Sequence, residues 1–338
     1  MPLSVPPPGS GLVDRYGRVA TDLRVSLTDR CNLRCSYCMP AEGLDWLPTP
    51  EVLTDDEVVR LIDIAVTRLG VQEVRFTGGE PLIRRGFPDI VARTAKLEPR
   101  PQISVTTNGL GLDKCAGALA AAGLDRVNVS LDTIRPETFK AITLRDRMHD
   151  VISGLAAAAE AGLTPVKINA VLMRGHNDDQ AAELLRWCLE HGYELRFIEQ
   201  MPLDAQHRWT REQMITAEEI LESLRREFVL TDHPAERGSA PAELFVVDGG
   251  PATVGVIASV TRPFCGDCDR ARITADGQAR NCLFAREESD LRAALRGEFS
   301  DEQIADRWRT AMWSKRPGHG IDDESFLQPV RPMSAIGG

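Results

Sequence analysis

The sequence predicts an α/β fold, an incomplete TIM-like (β/α)6 barrel followed by a smaller α+β region, on three observations. Strand patterns and helix patterns alternate six times up to about residue 210, which favours a parallel sheet with helices outside it. Polar or Gly-rich residues follow most of the strands, as they do at the rim where barrels carry their chemistry. After about residue 210 the strand and helix patterns no longer alternate in this way. An open doubly wound sheet also fits the alternation, and the strand endings favour the barrel.

The predicted strands are short runs rich in Val, Ile and Leu. They cover Leu23–Leu27, Glu73–Thr77, Ile103–Thr107, Val127–Leu131, Val166–Leu172 and Leu195–Glu199. The second strand ends in Thr77-Gly78-Gly79-Glu80 and the third is followed by Asn108 and Gly109. Such endings place polar side chains and free backbone groups around one end of a parallel barrel.

Helical patterns lie between these strands, at about 54–69, 86–97, 112–123, 149–162 and 178–191. The first begins with Thr54 in the N-cap position and Glu57 three residues later, the pattern of a capping box. Gly70, Gly123 and Gly162 end three of the helices, where glycine is favoured. The smaller region contains helical patterns near 216–227, 288–297 and 301–315, and a β-rich stretch near 243–274.

The two ends of the chain carry little periodicity. Residues 1–20 open with Pro, Gly and Ser, and we expect a disordered lead-in there. We expect the barrel over 21–210, the C-terminal region over 211–320, and a flexible tail over 321–338 that ends in Gly337-Gly338. Nothing in the tail predicts a packed helix or strand.

Composition and charge exclude several functional classes. The 338 residues carry a net charge of −10, and such a chain is a poor general binder of nucleic acid, whose phosphates attract clustered Lys and Arg. No apolar run approaches the roughly 20 residues that span a bilayer, and the N-terminus lacks the pattern of a secretory signal. We therefore expect a cytoplasmic protein with reduced cysteines, and neither nucleic acid nor membrane as a partner.

Six of the eight cysteines fall into two groups of three. The first group directly follows the first strand and the second lies in the smaller region: Cys31, Cys35 and Cys38, then Cys265, Cys268 and Cys282. A four-iron cluster normally takes four cysteines, so three would leave one iron open to bind a small molecule. Structural cysteines or an incomplete zinc site are the alternatives for the first group. The second group, taken alone, fits zinc as well as iron.

The remaining two cysteines have a simpler interpretation. Cys115 and Cys188 each lie on an apolar helical stripe. Free cysteines at such positions behave as small apolar side chains, so both are predicted to be buried packing residues.

Several stretches together resemble a known family. CNLRCSYC resembles the CxxxCxxC signature of radical S-adenosylmethionine (SAM) enzymes, and GGEP resembles their segment after the second strand. LRVSLTDRCNLRCSYCMP, RFTGGEPL, TTNG, VNVSLDT, VKINAV and PFCGDCDRARIT resemble, in order, the molybdenum cofactor biosynthesis protein A family of GTP 3′,8-cyclases. This likeness runs from about residue 12 to the Gly-Gly end.

The resemblance implies a role for individual residues. Each cysteine group would hold one [4Fe-4S] cluster. SAM would be contacted by Tyr37, Gly79, Ser130 and Met201. GTP would be contacted by Arg24, Arg75, Thr106, Lys167, Arg270 and Arg272. Arg270 and Arg272 would also serve catalysis, together with Gly337 and Gly338, which would reach into the active site. Each of these Arg and Lys residues, taken singly, could instead be a solvated surface charge.

The resemblance also implies a reaction and its partners. Reduction by the first cluster would cleave SAM to methionine and a 5′-deoxyadenosyl radical, which takes hydrogen from C3′ of GTP. Bonding of C3′ to C8 of the guanine would then lead to 3′,8-cyclo-7,8-dihydro-GTP, early in molybdenum cofactor biosynthesis. The implied partners are an electron donor protein and the downstream cyclic pyranopterin monophosphate synthase, with a homodimer left open.

Two rival interpretations remain open from the sequence. A radical SAM enzyme that modifies peptides through an auxiliary cluster usually shows more cysteines after the barrel than the three here. The basic run Arg270-Ala271-Arg272 favours a nucleotide instead. A non-catalytic iron–sulfur regulator would need a DNA-binding unit, and the sequence contains no basic helix-turn-helix pattern.

Overall fold

The computed structural model describes residue 6 and residues 9–337. Residues 1–5, 7 and 8 of the predicted lead-in, and Gly338 of the predicted active-site tail, lie outside the described residues. Within the described part of the lead-in, Leu12 and Ala20 are buried, and Val13 forms an isolated antiparallel bridge with Val19.

Six parallel strands form the centre of the molecule. They are β1 (Asp22–Ser26), β2 (Glu73–Thr77), β3 (Gln102–Thr107), β4 (Arg126–Ser130), β5 (Lys167–Val171) and β6 (Glu194–Ile198). Each is hydrogen-bonded to the next in chain order. The six strands predicted from the sequence are confirmed, with every boundary within one residue of the prediction.

The helices of this half follow the strands and cover the sheet. They are α1 (Asp55–Leu69), α2 (Phe87–Thr94), α3 (Leu112–Ala122), α4 (Pro136–Thr143), α5 (Met148–Glu160) and α6 (Ala181–Glu190). The predicted capping box of α1 is confirmed, since Thr54 and Glu57 each accept a backbone N–H from the other. Helix α4 was not predicted from the sequence, because eight residues with few buried positions are too short to establish a helical period.

The C-terminal region adds six further strands and four helices to the described chain. The strands are β7 (Leu230–Asp232), β8 (Glu243–Val247), β9 (Thr253–Ile257), β10 (Arg270–Ile273), β11 (Gln278–Arg280) and β12 (Ser289–Asp290). The helices are α7 (Ala217–Arg225), α8 (Leu291–Arg296), α9 (Asp301–Trp313) and α10 (Met333–Ile336).

These strands extend the central sheet at both of its edges. β10 pairs in parallel with β1, with Arg272 opposite Arg24, and β9 pairs in parallel with β6, with Gly255 opposite Arg196. The described strands thus form one sheet in the order β12-β11-β10-β1-β2-β3-β4-β5-β6-β9-β8-β7. An edge strand presents unpaired backbone groups, and the C-terminal region satisfies those of β1 and β6.

The two faces of the central sheet differ in chemistry. Val25 and Phe76 are buried in the apolar core between the sheet and the helices, where Phe76 meets Phe87 edge to face with ring centroids 5.3 Å apart. Side chains alternate along a strand, so the neighbours Arg24 and Arg75, opposite each other in register, point to the other face. The barrel interior is therefore lined with polar groups.

The predicted flexible tail contains a short helix that its sequence did not predict. α10 is one turn long, which leaves no room for a periodic pattern. Ile336 is 1% exposed and packs with Leu203 and Phe284, so tertiary contacts determine this helix. Elsewhere in the described residues, no helix combines the length and the apolar composition that a membrane crossing needs.

Candidate functional site

One cavity of about 340 Å³ lies where the central strands end. Its wall includes the last residues of five successive strands, β2 to β6: Thr77, Thr107, Ser130, Val171 and Ile198. The thiols of both predicted groups line it: Cys31, Cys35, Cys38, Cys265, Cys268 and Cys282. The fold therefore brings together two cysteine groups that are far apart in the sequence.

The first cysteine group lies on a loop after β1 that turns tightly on itself. The backbone N–H of Cys38 donates to the carbonyl of Cys35 at 2.8 Å. The Arg34 guanidinium donates to the carbonyls of Cys31 and Leu33 at 2.7 and 2.8 Å, and the Arg34 N–H donates to the carbonyl of Thr143 at the end of α4. These bonds hold the loop in place without using the thiols.

Burial sets the protonation of these thiols. It raises the pKa of Cys38 to about 12, that of Cys35 well above its usual value, and that of Cys31 to a smaller extent. The Asn108 amide donates to the Cys31 sulfur at 3.7 Å. Binding of a metal cluster to this loop therefore releases protons, since the ligands are thiolates.

Two glycines after β2 allow that strand to approach the cysteine loop closely. A Cβ on Gly79 would lie 2.2 Å from the carbonyl oxygen of Arg30, and a Cβ on Gly78 would lie 2.4 Å from that of Thr28. The Gly79 N–H donates to the Thr28 carbonyl at 2.7 Å. A side chain at either position would push the loop away.

Glu80, which follows, is a buried acid that fixes the neighbouring strand end. Its carboxylate accepts from the Asn108 N–H and the Thr107 hydroxyl, both at 2.7 Å, and from the Leu82 N–H at 2.9 Å. Burial raises the pKa of Glu80 to about 7. This acid organises the loops beside the first cysteine group.

All four residues expected to contact SAM line the cavity: Tyr37, Gly79, Ser130 and Met201. The Tyr37 hydroxyl donates to Asp132 at 2.9 Å, and Asp132 also accepts from the Val171 N–H at 2.9 Å. Burial raises the pKa of Asp132 to about 6. Asp132 directly follows the fourth predicted strand, and no role was predicted for it from the sequence.

The second cysteine group lies on two segments that flank β10 and β11. Cys265 and Cys268 belong to a tight turn before β10, and Cys282 follows β11. Burial is the largest influence on Cys268 and raises its pKa. The neighbouring Lys315 ammonium and Arg270 guanidinium outweigh it, so the pKa of Cys268 lies below the usual value. No motif or pattern in the sequence pointed to Lys315.

Between the two cysteine groups, the cavity wall carries a cluster of arginines: Arg24, Arg75, Arg196, Arg270 and Arg272. The pKa of Arg24 and of Arg272 is lowered to about 9 and that of Arg196 to about 10, and burial is the largest cause in each case. These groups therefore remain charged at neutral pH. Arg196 was not among the predicted site residues, although it lies at an inward position of a predicted strand.

One buried carboxylate faces this cluster. The Asp22 Oδ2 lies 3.6 Å from a nitrogen of Arg24, 3.7 Å from one of Arg75 and 3.8 Å from one of Arg270. Burial opposes its ionisation, yet the guanidinium groups hold the pKa of Asp22 below its usual value. Asp269 and Glu73 also approach Arg270 and Arg75, at 3.7 and 3.9 Å. Even with these carboxylates, the five guanidinium groups leave a local excess of positive charge, which suits a polyanion.

Two expected GTP contacts behave differently from the arginines. Thr106 lines the cavity, as predicted. Lys167, at the start of β5, is not among the described residues that line it, and its ammonium pairs with Glu194 at 2.8 Å.

The tail reaches the same region. The Arg272 guanidinium donates to the carbonyl of Gly337. Gly337 has φ +83°, and a Cβ there would lie 2.8 Å from the Thr77 Cγ2 and 3.1 Å from the Ser26 Cβ. Only glycine fits this position without displacing the end of β1 or β2.

Several buried polar atoms around the cavity have no hydrogen-bond partner in the described chain: Asp22 Oδ1, Arg24 Nε, Asn128 Nδ2, Asn169 Oδ1 and Arg270 Nε. Buried polar atoms are nearly always hydrogen-bonded, so this concentration indicates a polar ligand. No group of three or more His, Cys, Asp or Glu in the described residues converges on one metal ion. A four-iron cluster binds each thiolate through a different iron and does not need that convergence. The residues present therefore fit two clusters and a polar ligand.

Comparison with known proteins gives matches over nearly the whole chain. The Radical SAM superfamily profile matches residues 25–188, and the Molybdenum Cofactor Synthesis C profile matches residues 193–321. The chain is 71% identical to the GTP 3′,8-cyclase of Streptomyces coelicolor, over 97% of this chain and 96% of that protein. It is 64% identical to a GTP 3′,8-cyclase of a Mycobacterium species, over 97% of this chain and 93% of that protein.

Among solved structures, the fold is similar to that of SuiB from Streptococcus suis bound to the precursor peptide SuiA. The TM-score is 0.61 at 15% identity, over 89% of this chain and 68% of that one. At so low an identity, the likeness shows the fold alone.

Proposed function

Because this chain belongs to the GTP 3′,8-cyclase family of radical SAM enzymes, we propose that its cavity binds SAM and GTP side by side, between two clusters. The activity is the conversion of GTP to 3′,8-cyclo-7,8-dihydro-GTP in molybdenum cofactor biosynthesis, carried out by a lyase with two [4Fe-4S] clusters and SAM. The first cluster is held by Cys31, Cys35 and Cys38, and the second by Cys265, Cys268 and Cys282. The clusters and SAM supply the radical chemistry when they are bound.

The single observation that carries this proposal is the shared cavity. It has one cysteine group on either side and an excess of buried guanidinium groups between them. Arginine presents a planar fork of donors that matches phosphate oxygens, so Arg24, Arg75 and Arg196 bind the triphosphate. Tyr37, Gly79, Ser130 and Met201 form the adjoining SAM site.

The protein's own contribution is to hold the two reactants together and to exclude water. Fixed positions for both reactants convert an encounter between two molecules into a step within one complex. Arg270 and Arg272, which adjoin the second cysteine group, orient the nucleotide against it. Gly337 and Gly338 close the mouth of the barrel beside Arg272 during turnover.

Lys167 contributes less to GTP binding than the arginines do. Its ammonium is paired with Glu194 and must leave that carboxylate before it can reach a ligand. Breaking this pair offsets part of what a new contact to phosphate would contribute.

We assign the chain's segments and partners in the same way. Residues 21–210 form the radical SAM barrel, 211–320 carry the second cluster, and 321–338 form the active-site tail. The protein works in the cytoplasm, where thiols stay reduced, with an electron donor protein. It supplies its product to the cyclic pyranopterin monophosphate synthase.

Anaerobic reconstitution tests the proposal. The protein is loaded with iron and sulfide, then incubated with GTP, SAM and dithionite. We expect 5′-deoxyadenosine, methionine and 3′,8-cyclo-7,8-dihydro-GTP, identified by mass spectrometry. Cleavage of SAM without binding of GTP would instead favour a peptide-modifying enzyme.

A further inference from the structure

Lys315 lies just beyond α9 and is almost entirely buried, at 3% exposure. Its ammonium lies 3.3 Å from the Cys268 sulfur, 3.1 Å from the Cys268 carbonyl oxygen and 3.1 Å from the Arg270 carbonyl oxygen. An ammonium group has three N–H donors, and these three acceptors use all of them.

The charge of this ammonium is not balanced by an acid. Within the described part of the chain, the partners of the Lys315 ammonium are one sulfur and two carbonyls and include no carboxylate, although lysine is almost never fully buried without a partner of opposite charge. Two of its acceptors are neutral carbonyls. The sulfur of Cys268 is therefore the one acceptor that can carry a negative charge, as a thiolate bound to iron.

The ammonium is also held firmly in place. The side chain of Asn281, next to Cys282, donates to the Ala311 carbonyl at 2.8 Å and to the Ser314 hydroxyl at 3.0 Å. The end of α9 is thus tied to both segments that carry the second cysteine group. Lys315 approaches Cys268 from the same end of α9, and Arg270 reaches the same sulfur at 3.8 Å.

Among the described cysteines predicted to bind a cluster, no other sulfur accepts a hydrogen bond from a lysine. The sulfur of Cys31 accepts from a neutral amide at 3.7 Å. Among the described residues, Cys268 is the cysteine whose sulfur accepts from a lysine. Hydrogen bonds and net charge around the sulfurs set the reduction potential of an iron–sulfur cluster, because they stabilise the added electron.

We propose that Lys315 is a positioning residue for the second cluster, and that its charged hydrogen bond to Cys268 raises that cluster's reduction potential. This inference deepens the proposed function and rests on its assignment of Cys265, Cys268 and Cys282 as ligands. Through Cys268, Lys315 makes the second cluster easier to reduce while its two bonds to carbonyls fix the start of β10.

The test compares Lys315→Met, which keeps the apolar stem, with the unmodified protein and with Arg18→Met. Arg18 is a matched control, because it donates to the main-chain carbonyl of Cys265 and not to a sulfur. Redox titrations are followed by electron paramagnetic resonance, and a Cys35→Ala background without the first cluster identifies the second. In Lys315→Met we expect the second cluster to be about tenfold harder to reduce, a shift of about 59 mV for one electron. The first cluster should be unchanged, and Arg18→Met should shift less.

Iron content separates the failure of this inference from that of the proposed function. About four irons in the unmodified protein instead of about eight, the content of two four-iron clusters, would overturn both. Two clusters with an unchanged second potential in Lys315→Met would overturn the inference alone. If Lys315→Met does not hold the second cluster, the bond from Lys315 to Cys268 is tested in unmodified protein labelled with ¹⁵N-lysine. A ¹⁵N coupling to the reduced second cluster supports the bond to Cys268, and its absence overturns it.

Discussion

Around Asp22, buried positive charges outnumber buried negative charges. Its carboxylate is shared among Arg24, Arg75 and Arg270 at 3.6–3.8 Å, too far for short hydrogen bonds. Its Oδ1 and the Nε of Arg24 and of Arg270 have no hydrogen-bond partner among the described residues. The carboxylate reduces the repulsion among the guanidiniums, and the Nε of Arg24 remains available to a ligand.

Replacement of Arg75 by alanine tests this arrangement. Losing a hydrogen bond to a charged group costs about 1.5–3 kcal/mol, so GTP should bind roughly ten- to a hundredfold more weakly. The melting temperature should change little, because the variant also removes part of the repulsion between guanidiniums. Equilibrium binding of GTP and thermal unfolding of the reconstituted protein measure the two quantities.

Arg93→Ala is the matched control, since Arg93 pairs with the exposed Asp56 on the outer surface. It should leave GTP binding unchanged. An Arg75→Ala protein that melts far earlier but binds GTP normally would identify Arg75 as a structural residue.

Replacing one cysteine should affect SAM cleavage and GTP cyclisation differently in the two cysteine groups. Cys35→Ala should abolish the formation of 5′-deoxyadenosine, because the first cluster would lose a ligand. Cys268→Ala should weaken GTP binding and cyclisation but keep some uncoupled SAM cleavage. Chromatography of 5′-deoxyadenosine and of the cyclised nucleotide distinguishes them.

Cys115→Ala serves as the control for both cysteine variants. Cys115 is half-buried on α3, where its thiol donates to the Gly111 carbonyl at 3.4 Å, and Cys188 is fully buried in the core. The control should retain both activities. Equal loss of SAM cleavage in Cys35→Ala and Cys268→Ala would contradict the division of roles.

Some of the site residues that were not predicted could have been recognised from the sequence, and one could not. Arg196 and Asn169 lie at inward positions of two predicted strands, so the alternation along each strand could have identified them. Asp22 directly precedes a predicted strand. Lys315 could not have been found, because its contact with Cys268 depends on how α9 packs against a distant turn.

At the level of elements, the C-terminal turn α10 controls where the tail ends. Its helix stops at Ile336, and Gly337 then contacts Thr77 and Arg272. Deletion of Gly337 and Gly338, or extension of the chain beyond Gly338, should severely reduce cyclisation while both clusters still assemble. Product formation and iron content, measured on the same samples, separate these two effects.

The same tag placed at the N-terminus is the control for added length. It should leave activity intact, because the carbonyl of Ser10, near the start of the described chain, accepts from Arg309, which also donates to the Arg68 carbonyl near the end of α1 and not to a group of the cavity. Full activity of a protein with a C-terminal tag, with the tag confirmed by mass spectrometry, would mean that the tail has no part in the reaction.

The accuracy of the sequence prediction depended on element length and on partners close in the chain. Strands β1 to β6 were predicted well because buried parallel strands form compact runs of Val, Ile and Leu bounded by polar residues. α4 and α10 were missed because each is too short for a helical period. Pairing of β9 with β6 and of β10 with β1 was not foreseen, since register with a distant strand leaves no local pattern.

For the whole molecule, iron content is the simplest measure of the proposed architecture. The reconstituted protein should contain about eight irons per chain, the content of two four-iron clusters. Cys265→Ala should lower this to about four, because it would remove a proposed ligand of the second cluster only. Colorimetric iron and sulfide assays give both values, and a total of about four that Cys265→Ala leaves unchanged would contradict the prediction.

The pairing of β10 with β1 also determines the order in which the site can form during synthesis. A chain leaves the ribosome from its N-terminus, so the loop with Cys31 emerges early and Arg272 emerges near the end. Joining such distant segments closes a very long loop, which is slow compared with forming neighbouring contacts. The nascent chain thus exposes its first cysteine group well before the arginine pocket exists, and iron delivery to that group can precede completion of the proposed nucleotide site.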